Sequence, residues 1–152
     1  MTKGLLVENA EFFPIVREML GKGHTVTINV RGYSMRPFLE NDRDRVILAP
    51  LTRSPAVGDA LLAEISPGHY VLHRLLRIED NGQLTLQGDG NCHATETCGL
   101  NDVLGVVTHY LYPNHTVAAS DAIRRFNVSA WRRLHPIRRY LLYIYKRICS
   151  VQ

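Results

Sequence analysis

Apolar residues recur at helical spacing between residues 9 and 21. Five of them would share one face of a helix: Phe12, Phe13, Val16, Met19 and Leu20. The Gly21-Lys22-Gly23 segment that follows is typical of a helix end, because glycine readily adopts the conformation of a C-terminal cap. The pattern therefore predicts an amphipathic helix over residues 9–21.

Short apolar runs, many rich in β-branched residues, occupy the middle of the chain. Pro, Gly, Asn and Asp separate the runs, as is typical of strands joined by turns. Asn81-Gly82 is a strong hairpin signal, because both residues tolerate a positive φ. The runs predict strands at 25–30, 45–49, 59–65, 69–78, 83–88 and 103–110. We therefore expect a mainly antiparallel β domain.

From about residue 120 the apolar spacing becomes helical again. The apolar stripe comprises Leu134, Ile137, Leu141, Ile144, Ile148 and Val151, and most basic residues fall off it. Pro136 is expected to separate a short helix from a final one. The chain is thus divided into a β domain with an N-terminal helix, residues 1–120, and a basic amphipathic helical tail, residues 121–152.

The length of 152 residues, 45% of them hydrophobic, suits one packed core and excludes two large domains. The net charge of +4 is concentrated in the tail, where eight Arg or Lys residues face one Asp. We favour packing of the tail's apolar stripe on the β domain, with the arginines, including Arg138, in solvent. Contact with an anionic membrane surface is the second interpretation, and binding of another partner or nucleic acid is the third.

Three cysteines are an odd number and too few for a disulfide framework, which favours a reducing compartment. Neither a signal-peptide pattern nor a run of ~18 apolar residues is present. We therefore expect a cytoplasmic protein, with peripheral contact at the membrane as an alternative. Cys92, His93 and Cys98 lack the spacing of a zinc site, so no metal or cofactor is expected.

Three stretches contain the residue types of a serine hydrolase: Gly32-Tyr33-Ser34-Met35-Arg36-Pro37, Val71-Leu72-His73-Arg74-Leu75 and Gln87-Gly88-Asp89-Gly90-Asn91. A serine hydroxyl is a weak nucleophile until a base accepts its proton, and a nearby glycine allows the tight turn that presents it. Histidine suits the role of base, because its ordinary pKa of about 6.5 leaves it mostly neutral at pH 7. Each stretch alone also has a structural interpretation, as a turn or as a hydrogen-bonded strand histidine.

Together with Val57-Gly58-Asp59 before a strand, these stretches resemble the serine peptidase superfamily of signal peptidase I and the LexA-type repressors. The resemblance spans residues 28–108 and implies a LexA/signal-peptidase-like antiparallel β domain within residues 1–120. It implies Ser34 as the nucleophile. It also implies His73 as the general base, at a position where the bacterial enzymes have lysine and the endoplasmic-reticulum type has histidine.

The resemblance further implies that Asp89 orients His73 and completes a Ser-His-Asp arrangement. Four other acids are alternatives for this role: Asp42, Asp44, Asp59 and Asp102. Of these, Asp44 is interpreted as structural.

Two glycines depart from the family pattern. Gly32 stands where many signal peptidases have a Ser or Thr that helps to bind the oxyanion, so backbone N–H groups, including that of Ser34, are expected to replace it. Gly90 stands where the histidine-type enzymes have asparagine.

The implied function is that of a serine endopeptidase that cleaves a precursor or leader peptide bound as an extended strand. A self-cleaving LexA-like regulator is a weaker alternative, because only about 25 residues precede the first strand, too few for a helix-turn-helix and a scissile linker. A catalytically inactive peptide-binding or partner-docking module on the same fold is the third.

Overall fold

A computed structural model describes residues 9–149, with side chains from residue 11 onward. The elements in chain order are α1 (Asn9–Gly21), β1 (Val26–Asn29), β2 (Arg45–Ala49), β3 (Ala60–Ser66), β4 (His69–Ile78), β5 (Leu84–Gln87), β6 (Glu96–Cys98), β7 (Val103–Leu111), β8 (Thr116–Ala118), α2 (Ala122–Arg133) and α3 (Arg138–Cys149). Short 3₁₀ turns precede β7 and α3, at Leu100–Asp102 and His135–Ile137.

The eight strands form one sheet in which every pairing is antiparallel. The strand order is β1-β2-β7-β3-β4-β5-β6, and β8 pairs with β7. β1 and β6 are therefore the edge strands of this order.

Side chains of the sheet enter two separate apolar clusters. Successive residues of a strand point to opposite faces, so neighbours such as Leu61 and Leu62 on β3 belong to different clusters. Val16 and Leu20 of α1 cover the cluster that contains Leu62. Leu75 of β4 and Leu86 of β5 contribute to the other.

The mainly antiparallel architecture and the helix over residues 9–21 are confirmed. Asn81-Gly82 does form the turn between β4 and β5, with Gly82 at a φ of +84° and its N–H donating to the Glu79 carbonyl at 2.9 Å. Two strands of three residues each, β6 and β8, were not predicted, because runs this short carry almost no periodic signal.

The tail is helical, as predicted, but its packing differs from the favoured interpretation. Val128 and Trp131 of α2 are buried, whereas much of the predicted stripe is exposed: Leu134, Ile137, Ile144 and Ile148 are 38 to 67% exposed. Leu141 is half-buried, and Val151 lies outside the described residues.

Arg138, expected in solvent, is instead buried. Its guanidinium donates to Gln87 Oε1 at 3.3 Å, to the Asn91 carbonyl at 3.2 Å and to the Trp131 carbonyl at 3.4 Å. These acceptors turn the Arg138 side of α3 toward the body of the protein. Within residues 9–149, no helix combines the length and apolar character needed to cross a membrane.

Candidate active site

Ser34 lies in the loop that follows β1. The base of the loop is closed by two backbone hydrogen bonds, from Val30 N to the Asp44 carbonyl and from Asp42 N to the Val30 carbonyl, both at 2.9 Å. Gly32 has a φ of +80°, a conformation that favours glycine, and its N–H donates to Asn41 Oδ1 at 2.7 Å. The chain therefore turns at Gly32, two residues before the half-buried Ser34.

The loop packs directly against the glycines of the third stretch. Gly90 N–H donates to the Ser34 carbonyl at 2.7 Å. A β-carbon at Gly88 would lie 3.0 Å from Ser34 Cβ, and one at Gly90 would lie 2.7 Å from the Tyr33 carbonyl oxygen. This contact gives a physical reason for Gly90, because a side chain at that position would displace the loop that carries Ser34.

His73 lies on β4, 5% exposed, opposite Leu61 of β3. Its Nδ1 is 2.8 Å from Glu96 Oε2. An ionised carboxylate only accepts hydrogen bonds, so beside it Nδ1 carries the proton. Nε2 is then the ring nitrogen with a lone pair that can accept another.

Gly88 connects the environments of Ser34 and His73. β4 and β5 pair with Arg74 opposite Gln87. His73 precedes Arg74 and Gly88 follows Gln87, so each is one residue beyond this pair on its own segment. Within residues 9–149 no hydrogen bond joins Ser34 Oγ to His73.

Asp89 does not contact His73. Its carboxylate receives two hydrogen bonds from Arg74, Nε to Oδ1 at 3.2 Å and Nη2 to Oδ2 at 2.5 Å, and both residues are 3% exposed. The physical reason is the alternation of β4, which directs His73 and Arg74 to opposite faces of the sheet. The carboxylate beside His73 therefore belongs to Glu96 and not, as expected, to Asp89.

The Arg74–Asp89 pair forms the centre of a buried polar network. Arg74 Nη1 also donates to the Gly58 carbonyl at 3.0 Å and to Tyr110 Oη at 3.2 Å. Burial lowers the pKa of Arg74, but the Asp89 carboxylate and Tyr110 more than offset it and raise that pKa above its ordinary value. The guanidinium therefore stays charged.

The other acids considered for His73 have partners elsewhere. Asp44 is fully buried and accepts hydrogen bonds from Arg43 and from the Glu40 N–H, consistent with its structural interpretation. Asp42 forms an ion pair with Arg31, Asp59 with Arg53, and Asp102 accepts the Gly99 N–H.

Glu96 was missed by the sequence analysis because it lies in an unpredicted strand. A strand of three residues carries almost no signal in the sequence. The structure shows Glu96 half-buried, Thr97 exposed and Cys98 buried. This alternation places a carboxylate on the inward side of an edge strand, where an acid requires a partner.

The site also contains a backbone donor without a partner. Ser34 N–H donates no hydrogen bond within residues 9–149. Backbone N–H groups are among the donors that bind an oxyanion in acyl transfer, so this N–H is a candidate for that role.

Side chains of the tail form hydrogen bonds with two segments of the site, the turn at residues 88–91 and the loop of Ser34. Trp131 Nε1 donates to the Asp89 carbonyl at 2.8 Å. Tyr145 Oη donates to Glu40 Oε2 at 3.3 Å. Glu40 Oε1 also accepts a hydrogen bond from Nη2 of Arg36 at 2.6 Å, and Arg36 lies two residues after Ser34. The helices therefore help to position the loop of Ser34 and the turn at residues 88–91.

Among the described side chains, no group of three or more His, Cys, Asp or Glu residues is arranged to hold a metal ion. No protein-family model matches the sequence, and no curated protein is a significant match to it. The chemistry of this site is therefore inferred from its own residues and their geometry.

Proposed function

We propose that the protein is a serine endopeptidase of the signal peptidase and LexA type, with Ser34 as nucleophile, His73 as general base and Glu96 as the carboxylate that orients His73. The observation that carries the proposal is the 2.8 Å contact between His73 Nδ1 and Glu96 Oε2. It favours the tautomer whose Nε2 can take a proton from a serine hydroxyl.

The proposed reaction begins when Ser34 Oγ attacks a peptide carbonyl carbon and His73 Nε2 accepts the hydroxyl proton. The oxygen of the tetrahedral intermediate is stabilised by the Ser34 N–H. His73 then protonates the leaving amine, which leaves an acyl ester on Ser34. Water, deprotonated by His73, hydrolyses that ester and restores both residues.

The LexA/signal-peptidase-like fold is supported by how the three stretches associate. The loop of Ser34 packs against Gly88 and Gly90, and β5, which leads into these glycines, pairs with the strand of His73. These contacts join stretches far apart in sequence near the C-terminal end of β5, beside the middle of β4.

Binding of the substrate as an extended strand is supported by the position of β1. It is an edge strand, and the chain runs from it directly into the loop of Ser34. A precursor or leader peptide added along this edge would use backbone hydrogen bonds for affinity and would run toward the serine.

Cleavage of a peptide library by the full chain, followed by mass spectrometry, tests the proposal. Ser34→Ala and His73→Ala should each lower kcat by about 10⁴-fold, and Glu96→Gln should lower it strongly by removing the preferred acceptor of Nδ1–H. Matched controls are Ser54→Ala and His69→Ala, both at exposed positions, with His69 on the same strand as His73.

Full activity of Ser34→Ala or His73→Ala would overturn the proposal. A wild-type chain that binds library peptides without cleaving them would instead assign an inactive peptide-binding module. Cleavage of the chain itself during incubation, lost in Ser34→Ala, would assign the self-cleaving regulator.

A further inference from the structure

The tail exposes an unusual share of the protein's large hydrophobic side chains. Fourteen such side chains are exposed among the described residues, and eight of them lie in α2, α3 and the short connection between them. They are Ile123, Phe126, Leu134, Ile137, Tyr140, Tyr143, Ile144 and Ile148. Exposed apolar side chains gathered in one segment differ from singly scattered ones and make the tail a candidate interaction surface.

The same segment carries exposed arginines that form no ion pair among the described residues. It contains seven arginines, of which four are exposed: Arg125, Arg133, Arg139 and Arg147. None of these four is within 4.0 Å of a carboxylate in the part of the chain that the structure describes. Asp121 is the acid at its start, and it accepts the Arg124 N–H as the cap of α2. The surface is therefore both apolar and strongly cationic.

The two sides of α3 differ in their exposure to solvent. Arg138, Leu141, Leu142 and Tyr145 are buried or half-buried and face the body of the protein. At 100° per residue the opposite side carries Tyr140, Tyr143, Ile144 and Arg147, all of them exposed.

Two arginines are held beside tyrosine rings on the outer side of α3. Arg139 Nη2 donates to Tyr140 Oη at 2.7 Å, and Arg147 Nη2 donates to Tyr143 Oη at 2.8 Å. The guanidinium of each also lies over the ring, 4.7 Å and 5.3 Å from its centroid. Amphipathic rings beside cations are the side chains that suit the boundary between lipid headgroups and acyl chains.

We propose that α2 and α3 dock the protein on the surface of a bilayer that contains anionic lipid. The exposed isoleucines, Phe126 and the rings of Tyr140 and Tyr143 enter the headgroup boundary, and the exposed arginines bind lipid phosphates. A second copy of the chain fits this surface poorly, because two tails of like charge would repel. Nucleic acid would use the arginines but would leave exposed isoleucines unburied. The proposal does not depend on the peptidase activity.

Co-sedimentation of the full chain with vesicles tests the proposal. Vesicles of phosphatidylcholine with about 30% phosphatidylglycerol, whose negative surface potential attracts basic residues, are compared with vesicles of pure phosphatidylcholine. The chain should bind the anionic vesicles, and binding should weaken at high salt. Arg139→Gln/Arg147→Gln should lower the partition coefficient by about 30-fold. Ile144→Ser/Ile148→Ser should lower it by about tenfold or more.

Matched controls make the same chemical changes outside the tail. Arg31→Gln/Arg45→Gln removes two exposed charges, and Ile15→Ser/Ile78→Ser removes two exposed isoleucines; both should bind like wild type. Circular dichroism and thermal melting verify that every variant is folded.

Three results would overturn the proposal: no preference for anionic vesicles, tail variants that bind like wild type, or equal losses in the control variants. Binding of a single-stranded oligonucleotide without vesicle binding would assign the surface to nucleic acid. Dimers that the tail variants abolish, without vesicle binding, would assign it to a second copy.

Discussion

Replacing Asp89 with asparagine would leave the buried Arg74 guanidinium without its charged partner while keeping the side-chain volume. Arg74 and Asp89 are each 3% exposed, so water cannot readily take the place of the carboxylate. Arg74 would retain its contacts with the Gly58 carbonyl and Tyr110 Oη, which are neutral. Breaking a buried ion pair from one side costs about 3–5 kcal/mol, and we expect the lower end because asparagine still offers one acceptor.

Urea unfolding followed by circular dichroism measures this cost. A loss of about 3 kcal/mol corresponds to a fall in Tm of roughly 6–12 °C for a chain of this size. Glu96→Gln should cost about 1 kcal/mol or less, because glutamine keeps an oxygen that can accept the Nδ1–H of His73 and leaves no buried charge without a partner. Asp42→Asn is the matched control for the Asp89 change, since its side chain and that of its partner Arg31 are both mostly exposed.

The two carboxylates should thus separate in two assays, Asp89 in stability and Glu96 in activity. The double variant Arg74→Met/Asp89→Asn should recover part of the lost stability, because it removes the uncompensated charge. An Asp89→Asn chain as stable as wild type that has lost peptidase activity would refute the assignment and return the orienting role to Asp89.

Two further predictions test local features of the site and its surroundings. Burial, and to a smaller extent the Asp102 charge, raises the pKa of the Cys98 thiol to about 11. Only about 0.1% of Cys98 would then be thiolate at pH 8, so iodoacetamide should modify the exposed Cys149 at least ~100-fold faster than Cys98. Equal rates for the two cysteines would contradict the burial of Cys98. Gly88→Ala would place a β-carbon against the Ser34 carbonyl and 3.0 Å from Ser34 Cβ, so we expect a loss of peptidase activity and of about 1–3 kcal/mol in unfolding free energy. Gly21→Ala, whose β-carbon would meet nothing within 4 Å, is its control, and a Gly88→Ala chain that behaves like Gly21→Ala would contradict the close packing.

Local pattern was sufficient for much of the fold. The helix of residues 9–21, the strand of His73 and the Asn81-Gly82 turn follow from periodicity and turn chemistry, which act between residues a few positions apart. The glycine turn before Ser34 was predictable for the same reason, because a positive φ is a property of one residue and its neighbours.

The partners of His73 and Arg74 could not be predicted in this way. Several acids follow the strand of His73, among them Asp89 and Glu96, and the sequence does not say which one reaches the ring. The alternation of β4 turns His73 and Arg74 to opposite faces of the sheet. The segment whose acid reaches each face then decides the partner: the turn after β5 supplies Asp89 to Arg74, and the edge strand β6 supplies Glu96 to His73.

The tail shows the same division. Its helices and its charge were determined by residues 121–152 alone, since amphipathic spacing is a local property. The direction in which α3 faces was decided by acceptors at Gln87, Asn91 and Trp131, which bury Arg138 and leave the isoleucines outside. A buried guanidinium must have hydrogen-bond acceptors, and only the folded chain brings these acceptors together.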